Sequence, residues 1–450
     1  MELEELKWKK KNVWEVYSEE EIEKFSKIYS NFLSEAKTER EIVLKGEEIL
    51  KEKGFINVDE GVKQDKLYKK IKNKSLLIIK KGKKTINDGF NLITAHVDSP
   101  RIDIKQNPLY EDTGLVFLDT HYYGGIKKYQ WVSIPLSLRG VIIDKNGKAI
   151  NVDSEKDNII FSITDLLPHL ARKQYEKKLS EAIEGENLNV LIGSKPEKDA
   201  KEEKVKNFIL KYLNEKYGII EEDFISSELT LVPYGRALDA GFDKSMILGY
   251  GHDDRSCALT AFYAILDSEP SERWSLVYLI DKEEIGSEGN TSAQSIIFDE
   301  VLLNFVNDYK ELISVYTKSS VLSGDVNAGF DPNYKEVFEP KNAAYINNGV
   351  VMTKFTGRGG KYESNDASAE FVGKVRNLFN ENNVVWQTAE LGRVDEGGGG
   401  TVALFFARKG MDVVDMGPAV LSMHAPFEII SKGDLYSTYH AYKIFLERFK

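Results

Sequence analysis

The period of the hydrophobic pattern changes twice along the chain. In 22-IEKFSKIYSNFLSEAK-37 and 43-VLKGEEILKEKGF-55 apolar residues recur every three to four positions. This spacing predicts two amphipathic helices, the second stopped by Gly54. The pattern then tightens: 75-SLLIIK-80 and 90-FNLITA-95 are short apolar runs of strand length, bounded by turn residues such as Asn87, Asp88 and Gly89. From 101 to 236 the texture is β-like, in 114-GLVFLDTHYY-123, 131-WVSIPLSLRGVIID-144 with its Lys-Asn-Gly turn at 145–147, and 158-NIIFSI-163. The lysine- and glutamate-rich stretch 172–189 that follows predicts an exposed helix and loop. From about 240 onward apolar strands and helical stretches alternate, through 259-LTAFYAILDS-268, 275-SLVYLI-280, 300-EVLLNFVNDY-309, 366-DASAEFVGKVRNLFNE-381, 400-GTVALFFARKG-410 and 411-MDVVDM-416. Such alternation predicts an α/β sheet with helices on both faces. The chain therefore reads as one discontinuous α/β domain, 1–100 and 237–450, interrupted by a β-rich insertion, 101–236.

Composition narrows the function classes. A length of 450 residues allows a large core and more than one domain. The net charge of -11 argues against a nucleic-acid partner held through phosphates, and lysine runs such as 69–84 alternate with acidic ones as solvated faces do. The single cysteine, Cys257, excludes an internal disulfide framework and a cysteine zinc cluster. The first 25 residues are charged throughout and lack the apolar core of a signal peptide. Apolar runs elsewhere fall short of the ~20 residues that a membrane span needs. The expected class is a cytoplasmic enzyme or binding protein, with no membrane partner.

Candidate chemistry gathers where the apolar runs end. His96 follows Leu92–Ala95, and His424 lies in a short loop after 411-MDVVDMG-417. Asp253 in 249-GYGHDDRSC-257, the doublet Glu283–Glu284 in 281-DKEEIGSEG-289, and Asp325 in 323-SGDVNAG-329 occupy similar positions. In open α/β sheets the ligand site lies beyond the carboxyl ends of the strands. Singly, each has a plainer reading: a structural histidine, a solvated turn, or an aspartate capping its own loop. As a set they resemble the parts of a two-metal hydrolytic site, which needs imidazoles, carboxylates and one bridging carboxylate. Charge agrees, since Asp253, Glu284 and Asp325 together with one hydroxide neutralise two divalent cations. The doublet fits as well. Neighbours within a strand face opposite ways, so two adjacent glutamates serve one pocket only where the chain leaves the strand.

The segments 94-TAHVDSPR-101, 123-YGGIKKYQW-131, 165-DLLPHLA-171, 250-YGHDDRSC-257, 281-DKEEIGSEG-289, 323-SGDVNAGFDPNY-334, 388-TAELGRVDEGGGGT-401 and 422-SMHAP-426 resemble, in order and over nearly the whole chain, the M18 family of metalloaminopeptidases. Within it the resemblance is to the aspartyl aminopeptidase and aminopeptidase I group, in its bacterial branch. It implies a mixed sheet sandwiched by helices, a dinuclear metal site at the strand ends, and an inserted β-rich domain for dimerisation or as a lid. It implies that His96 binds one of two divalent ions (Zn, with Co or Mn as alternatives) and that Asp98 orients that imidazole. Asp253 would bridge the ions and Glu284 would bind the second. Asp325 and His424 would complete the ligand set, and Glu283 would be the general base and then acid. His169 would reach a neighbouring subunit's active site, steadying substrate or oxyanion or serving as a further ligand. The substrates implied are short peptides, cleaved at the N-terminus within a homo-oligomer, a dodecamer by resemblance. Eukaryotic relatives read an acidic side chain with a lysine after a GPVIK-like strand. Here the counterpart segment is 349-GVVMTKFTGRGGKYESN-365, with Lys354 nearest. The loop 394-VDEGGGGT-401 is either a glycine-lined approach to substrate or a plain turn. His121, His252 and His440 are read as structural. Two other functions remain open: a two-zinc carboxypeptidase or N-acyl amino-acid deacylase of the same clan, and an inactive peptide-binding scaffold.

Overall fold

The computed structural model describes residues 3–450. Helices Glu19–Glu35 and Glu39–Glu52 each begin in a capping box, Ser18 with Glu21 and Thr38 with Glu41. These reciprocal bonds satisfy otherwise orphaned amides and place both helix starts a few residues before the first apolar position of the pattern. Gly54 follows the second helix at φ 78°, a conformation that a β-carbon disfavours.

By their contacts the residues form two units. The first comprises the chain up to Asp98, Ala237–Met423 and Glu428–Lys450; the second is Ser99–Arg236 with His424–Phe427. The first unit is built on a nine-stranded mixed sheet. Its order is Ile56–Asn57, Lys66–Ile71, Ser75–Lys80, Trp274–Ile280, Phe90–His96, Ser320–Ser323, Asp412–Gly417, Val350–Thr353, Trp386–Thr388. The four central strands, from Trp274–Ile280 to Asp412–Gly417, run parallel. All their carboxyl ends therefore lie along one edge. Phe90–His96 and Trp274–Ile280 are buried at every position, which explains their unbroken apolar runs: parallel strands covered on both faces do not alternate. On one face Val277, Leu279 and Leu322 pack with Phe32, Phe262, Tyr442 and Phe445, from helices that include His252–Asp267 and Lys432–Arg448. On the other, Leu276, Tyr278 and Val321 pack with Phe298, Tyr316 and Phe406, from the short helices Ile297–Leu302, Tyr309–Tyr316 and Ala403–Ala407. A five-stranded sheet, in the order Leu238–Ala240, Met246–Gly249, Glu428–Ser431, Ala419–Leu421, Asn327–Ala328, completes this unit.

The second unit is a six-stranded antiparallel sheet, in the order Ala149–Asp153, Leu136–Ile143, Ser227–Pro233, Arg101–Asp112, Leu115–Tyr123, Val190–Gly193, with helix Lys204–Tyr217. Its local structure departs from the pattern in several places. Residues 131–135 are bends rather than strand, and 158–163 contributes only isolated bridges, such as Leu136 with Phe161. The stretch 172–189 forms three short turns of helix. No helix of the described residues is long and apolar enough to cross a membrane.

Candidate metal centre

His96 closes strand Phe90–His96 and is buried. Its Nδ1 lies 2.9 Å from the backbone oxygen of Asp98 and 3.3 Å from Asp98 Oδ1. With Nδ1–H donating there, Nε2 faces Asp253 Oδ1 at 3.2 Å and Glu283 Oε2 at 3.8 Å. Sheet register brings Asp325 to the same level. Ser323 pairs with Thr94, the N–H of Gly324 donates to Thr94 O at 2.6 Å, and Asp325 comes next.

The glutamate doublet occupies a turn. After Trp274–Ile280 the chain passes through Lys282 at φ 70° and forms a single 3-10 turn, Glu283–Ile285, closed by Gly286 N–H to Glu283 O at 2.9 Å. Leaving the strand frees both carboxylates from alternation. One carboxylate oxygen of each comes within 4.8 Å of the other and of a ring nitrogen of His96. Asp98 holds this turn from behind: Oδ1 accepts the N–H of Glu283 and Oδ2 that of Glu284, each at 3.2 Å.

The aspartate doublet divides differently. Asp253 enters helix His252–Asp267 in a non-helical conformation, and the peptide joining it to Asp254 is cis. Its N–H donates to Glu428 Oε2 at 3.1 Å, and its carboxylate groups with His96 and Asp325 within 4.8 Å. Asp254 is fully buried and accepts the backbone N–H of His96 at 3.3 Å. One aspartate thus faces the cluster and the other braces it.

The electrostatics are those of converging like charges. Burial, reinforced by the charges of Asp254, Glu283 and Asp253, pushes Asp325 well above the usual carboxylate range. Burial, opposed by His96 and reinforced by Asp253, pushes Asp254 up to about 8. Burial alone would lower His96, but its hydrogen bonds to Asp253 and Asp98 outweigh that and hold it well above its ordinary value. An imidazole nitrogen amid four carboxylates is a donor set that suits Zn, Co or Mn.

His424 lies in the second unit, at φ 64°, with Nδ1 2.8 Å from Gly125 O. A β-carbon on Gly125 would come within 3.3 Å of that nitrogen, so glycine suits the contact. His169 sits exposed on the 3-10 turn Pro168–Leu170.

Lys354 is not brought to the cluster. Strand Val350–Thr353 runs antiparallel to Asp412–Gly417, with Val351 opposite Gly417 and Thr353 opposite Asp415. The chain at Lys354 therefore heads toward the amino ends of the parallel strands, away from the level of His96. Its ammonium pairs with Asp366, which Lys361 shares. In the glycine-rich loop, a β-carbon on Gly397 would lie 1.9 Å from Leu391 O, and one on Gly398 1.8 Å from Gly357 O. Close packing within this loop at Gly397, and against a second loop at Gly398, demands these glycines. His252 accepts from Tyr29 OH at 2.6 Å and reaches Ile247 O at 3.2 Å; burial depresses it to about 3, so it is a neutral brace. His121 is exposed beside Tyr122 O, and His440 contacts Tyr17 OH.

Glu428, which no motif of the sequence singles out, is buried and receives the Asp253 amide. Its signal was an acid opening an apolar run, 428-EIIS-431, four residues after His424.

Residues 32–446 match the family model described as aminopeptidase I zinc metalloprotease (M18). A relative from Clostridium acetobutylicum, a probable M18 family aminopeptidase 1, is 48% identical over 97% of this chain and 98% of its own. The crystal structure of an M18-family aminopeptidase from Thermotoga maritima superposes with a TM-score of 0.95 at 45% identity, covering 98% of this chain and all of that one. A yeast mApe1 dodecamer shares the fold, with a TM-score of 0.73 at 20% identity over 94% of this chain and 98% of that one.

Proposed function

The chain belongs to the M18 family of zinc metalloproteases, the aminopeptidase I group, and we propose that it removes N-terminal residues from short peptides at a two-metal centre built on the His96 cluster. The observation that carries this reading is the convergence of His96, Asp253, Asp325, Glu283 and Glu284 at the strand ends. Neither a carboxypeptidase or deacylase nor an inactive scaffold finds support among the relatives.

In this reading His96, Asp253 and Asp325 would hold one ion. Asp253 and Glu284 would serve the second, and His424 would be the further ligand that the family resemblance implies. When bound, the ions polarise the scissile carbonyl and lower the pKa of water toward ~7. Asp98 fixes the tautomer of His96 and anchors the glutamate turn. Glu283 stays off the ions, takes the proton from the attacking water and returns it to the leaving amine. His169 acts on the site of a second copy, steadying substrate or oxyanion. Its carrier segment exposes Leu166, Leu167, Leu170, Tyr175 and Leu179. Such a patch suits burial against another copy, in a closed homo-oligomer such as the dodecamer formed by the yeast protein. The second unit thereby serves as a dimerisation and lid domain. The only cysteine is buried, which suits a reducing compartment, the cytoplasm.

The test is hydrolysis of aminoacyl p-nitroanilides by chelated enzyme with Zn, Co or Mn restored. Turnover should return with metal, and Glu283→Gln should lower kcat by roughly 10²- to 10⁴-fold while metal content stays the same. Full metal occupancy with no cleavage of any aminoacyl substrate would sink the reading.

A further inference from the structure

Within the second unit, helix Lys204–Tyr217 does not seal the sheet beneath it. It rests on strands Arg101–Asp112, Leu115–Tyr123 and Val190–Gly193. The approach is closest at Gly193, where a β-carbon would lie 2.7 Å from Ile209 Cδ1. Toward the other edge of the sheet it stands off, leaving a cavity of about 250 Å³. Leu118, Leu138, Ile142 and Leu229 form the floor, while Phe208 and Tyr212 come from the helix. Between Leu138 and Ile142 the strand carries Gly140, at φ 133°, where a β-carbon would lie 2.0 Å from Glu228 O, so no side chain stands between these two floor residues. The walls are almost wholly carbon. The hydroxyl of Ser154 at the margin already accepts the Leu138 N–H at 3.0 Å.

The helix is tethered from its polar side, through Lys206 to Glu221 at 2.9 Å, Lys211 to Glu197 at 3.5 Å, and Lys216 to Asp157. Exposed ion pairs of this kind constrain a helix weakly. Phe208, Ile209 and Tyr212 are only half-buried, so the slot is reachable from solvent. An enclosed apolar cavity of ~150 Å³ has room for benzene or xenon, and this slot offers more volume, with an opening to solvent.

We propose that the slot is a binding site for a small apolar molecule, a single aromatic ring or a short alkyl chain. The lining supplies no charge to hold a polar ligand, and both walls belong to this chain, which leaves a slot rather than an open groove for a peptide.

Toluene titrated into the full-length protein, followed by saturation-transfer NMR and by melting temperature, tests this. Saturable binding of about one toluene per chain is expected, with a rise in melting temperature. Leu138→Phe and Leu229→Phe, which fill the slot, should each weaken binding by about tenfold or more without altering peptide hydrolysis. Should both variants misfold, a wild-type crystal pressurised with xenon decides: a xenon atom under Phe208 supports the site, and its absence overturns it. Absence of saturable binding, or undiminished binding in both folded variants, also overturns it. So does toluene that dissociates the oligomer, since the slot would then belong to a second copy.

Discussion

At Asp98 a single carboxylate joins two parts of the centre. It lies beside His96 Nδ1 and accepts the amides of both Glu283 and Glu284. The sequence showed Asp98 only as a neighbour of His96. Its hold on the glutamate turn depends on two parallel strands ending side by side, a non-local fact that no local pattern carries. An asparagine offers one acceptor and turns its amide toward the other N–H. Asp98→Asn should therefore weaken metal binding by roughly 10- to 100-fold and also lower kcat once metal is saturating. If kcat recovers fully at high metal, Asp98 serves His96 alone. Away from the centre, burial pushes Asp434 up to about 7, although the amides of Asn347 and Gly349 donate to it. An unfolded aspartate titrates near ~3.9. Between about pH 4 and 7 the folded state holds the extra proton, so stability is full below that window and is lost as pH rises through it, by at most ~1.4 kcal/mol per pH unit. Asp434→Asn should flatten that decline in urea midpoints taken at pH 4.5, 6 and 8. Parallel curves for the two proteins would refute this role.

At the scale of elements, legibility followed the physics of burial. Strands buried on both faces gave unbroken apolar runs, and the residues that follow them, His96 and Glu283–Glu284, were readable for the same reason. The hydrophobic pattern does not mark strand Arg101–Asp112, because its burial is mixed and Pro108 interrupts it. The helix Lys204–Tyr217 was missed because lysines and a glutamate are scattered among its apolar positions, and only Val205 is fully buried. The run 158–163 looked like a strand yet forms only bridges, since apolarity alone does not supply a pairing partner. The glycine-rich loop makes a testable case. Gly398 meets Gly357 O, whereas a β-carbon on Gly400 would have no atom within 4 Å. Gly398→Ala should destabilise the protein by about 1–3 kcal/mol, seen as a lower urea midpoint, and Gly400→Ala should leave stability within about 0.5 kcal/mol. Equal effects at both positions would refute the close contact at Gly398 as what demands glycine there.

For the whole molecule, the proposed role of His169 in a second copy's site sets a test of assembly. Leu167 and Leu170 are 50% and 67% exposed on either side of His169, at the short turn that carries it. Leu166, Leu167 and Leu170 gather exposed apolar side chains around this turn, a patch that suits burial against a partner, and a second copy is the partner that symmetry favours. If His169 works in trans, two separately inactive chains can complement each other. His169→Ala retains Glu283 but offers its neighbour no imidazole, while Glu283→Gln offers the imidazole but lacks the base. A site formed by the first chain and completed by the second holds both groups. Dissociated and reassembled as an equal mixture, the two variants should regain about a quarter of wild-type activity if sites pair at random between two copies. Leu166→Ser with Leu170→Ser should lower the assembly size by light scattering and the activity together. No activity in the reassembled mixture, with light scattering showing that the variants co-assemble, would place His169 within its own chain's site, and full activity of His169→Ala alone would place it outside the reaction.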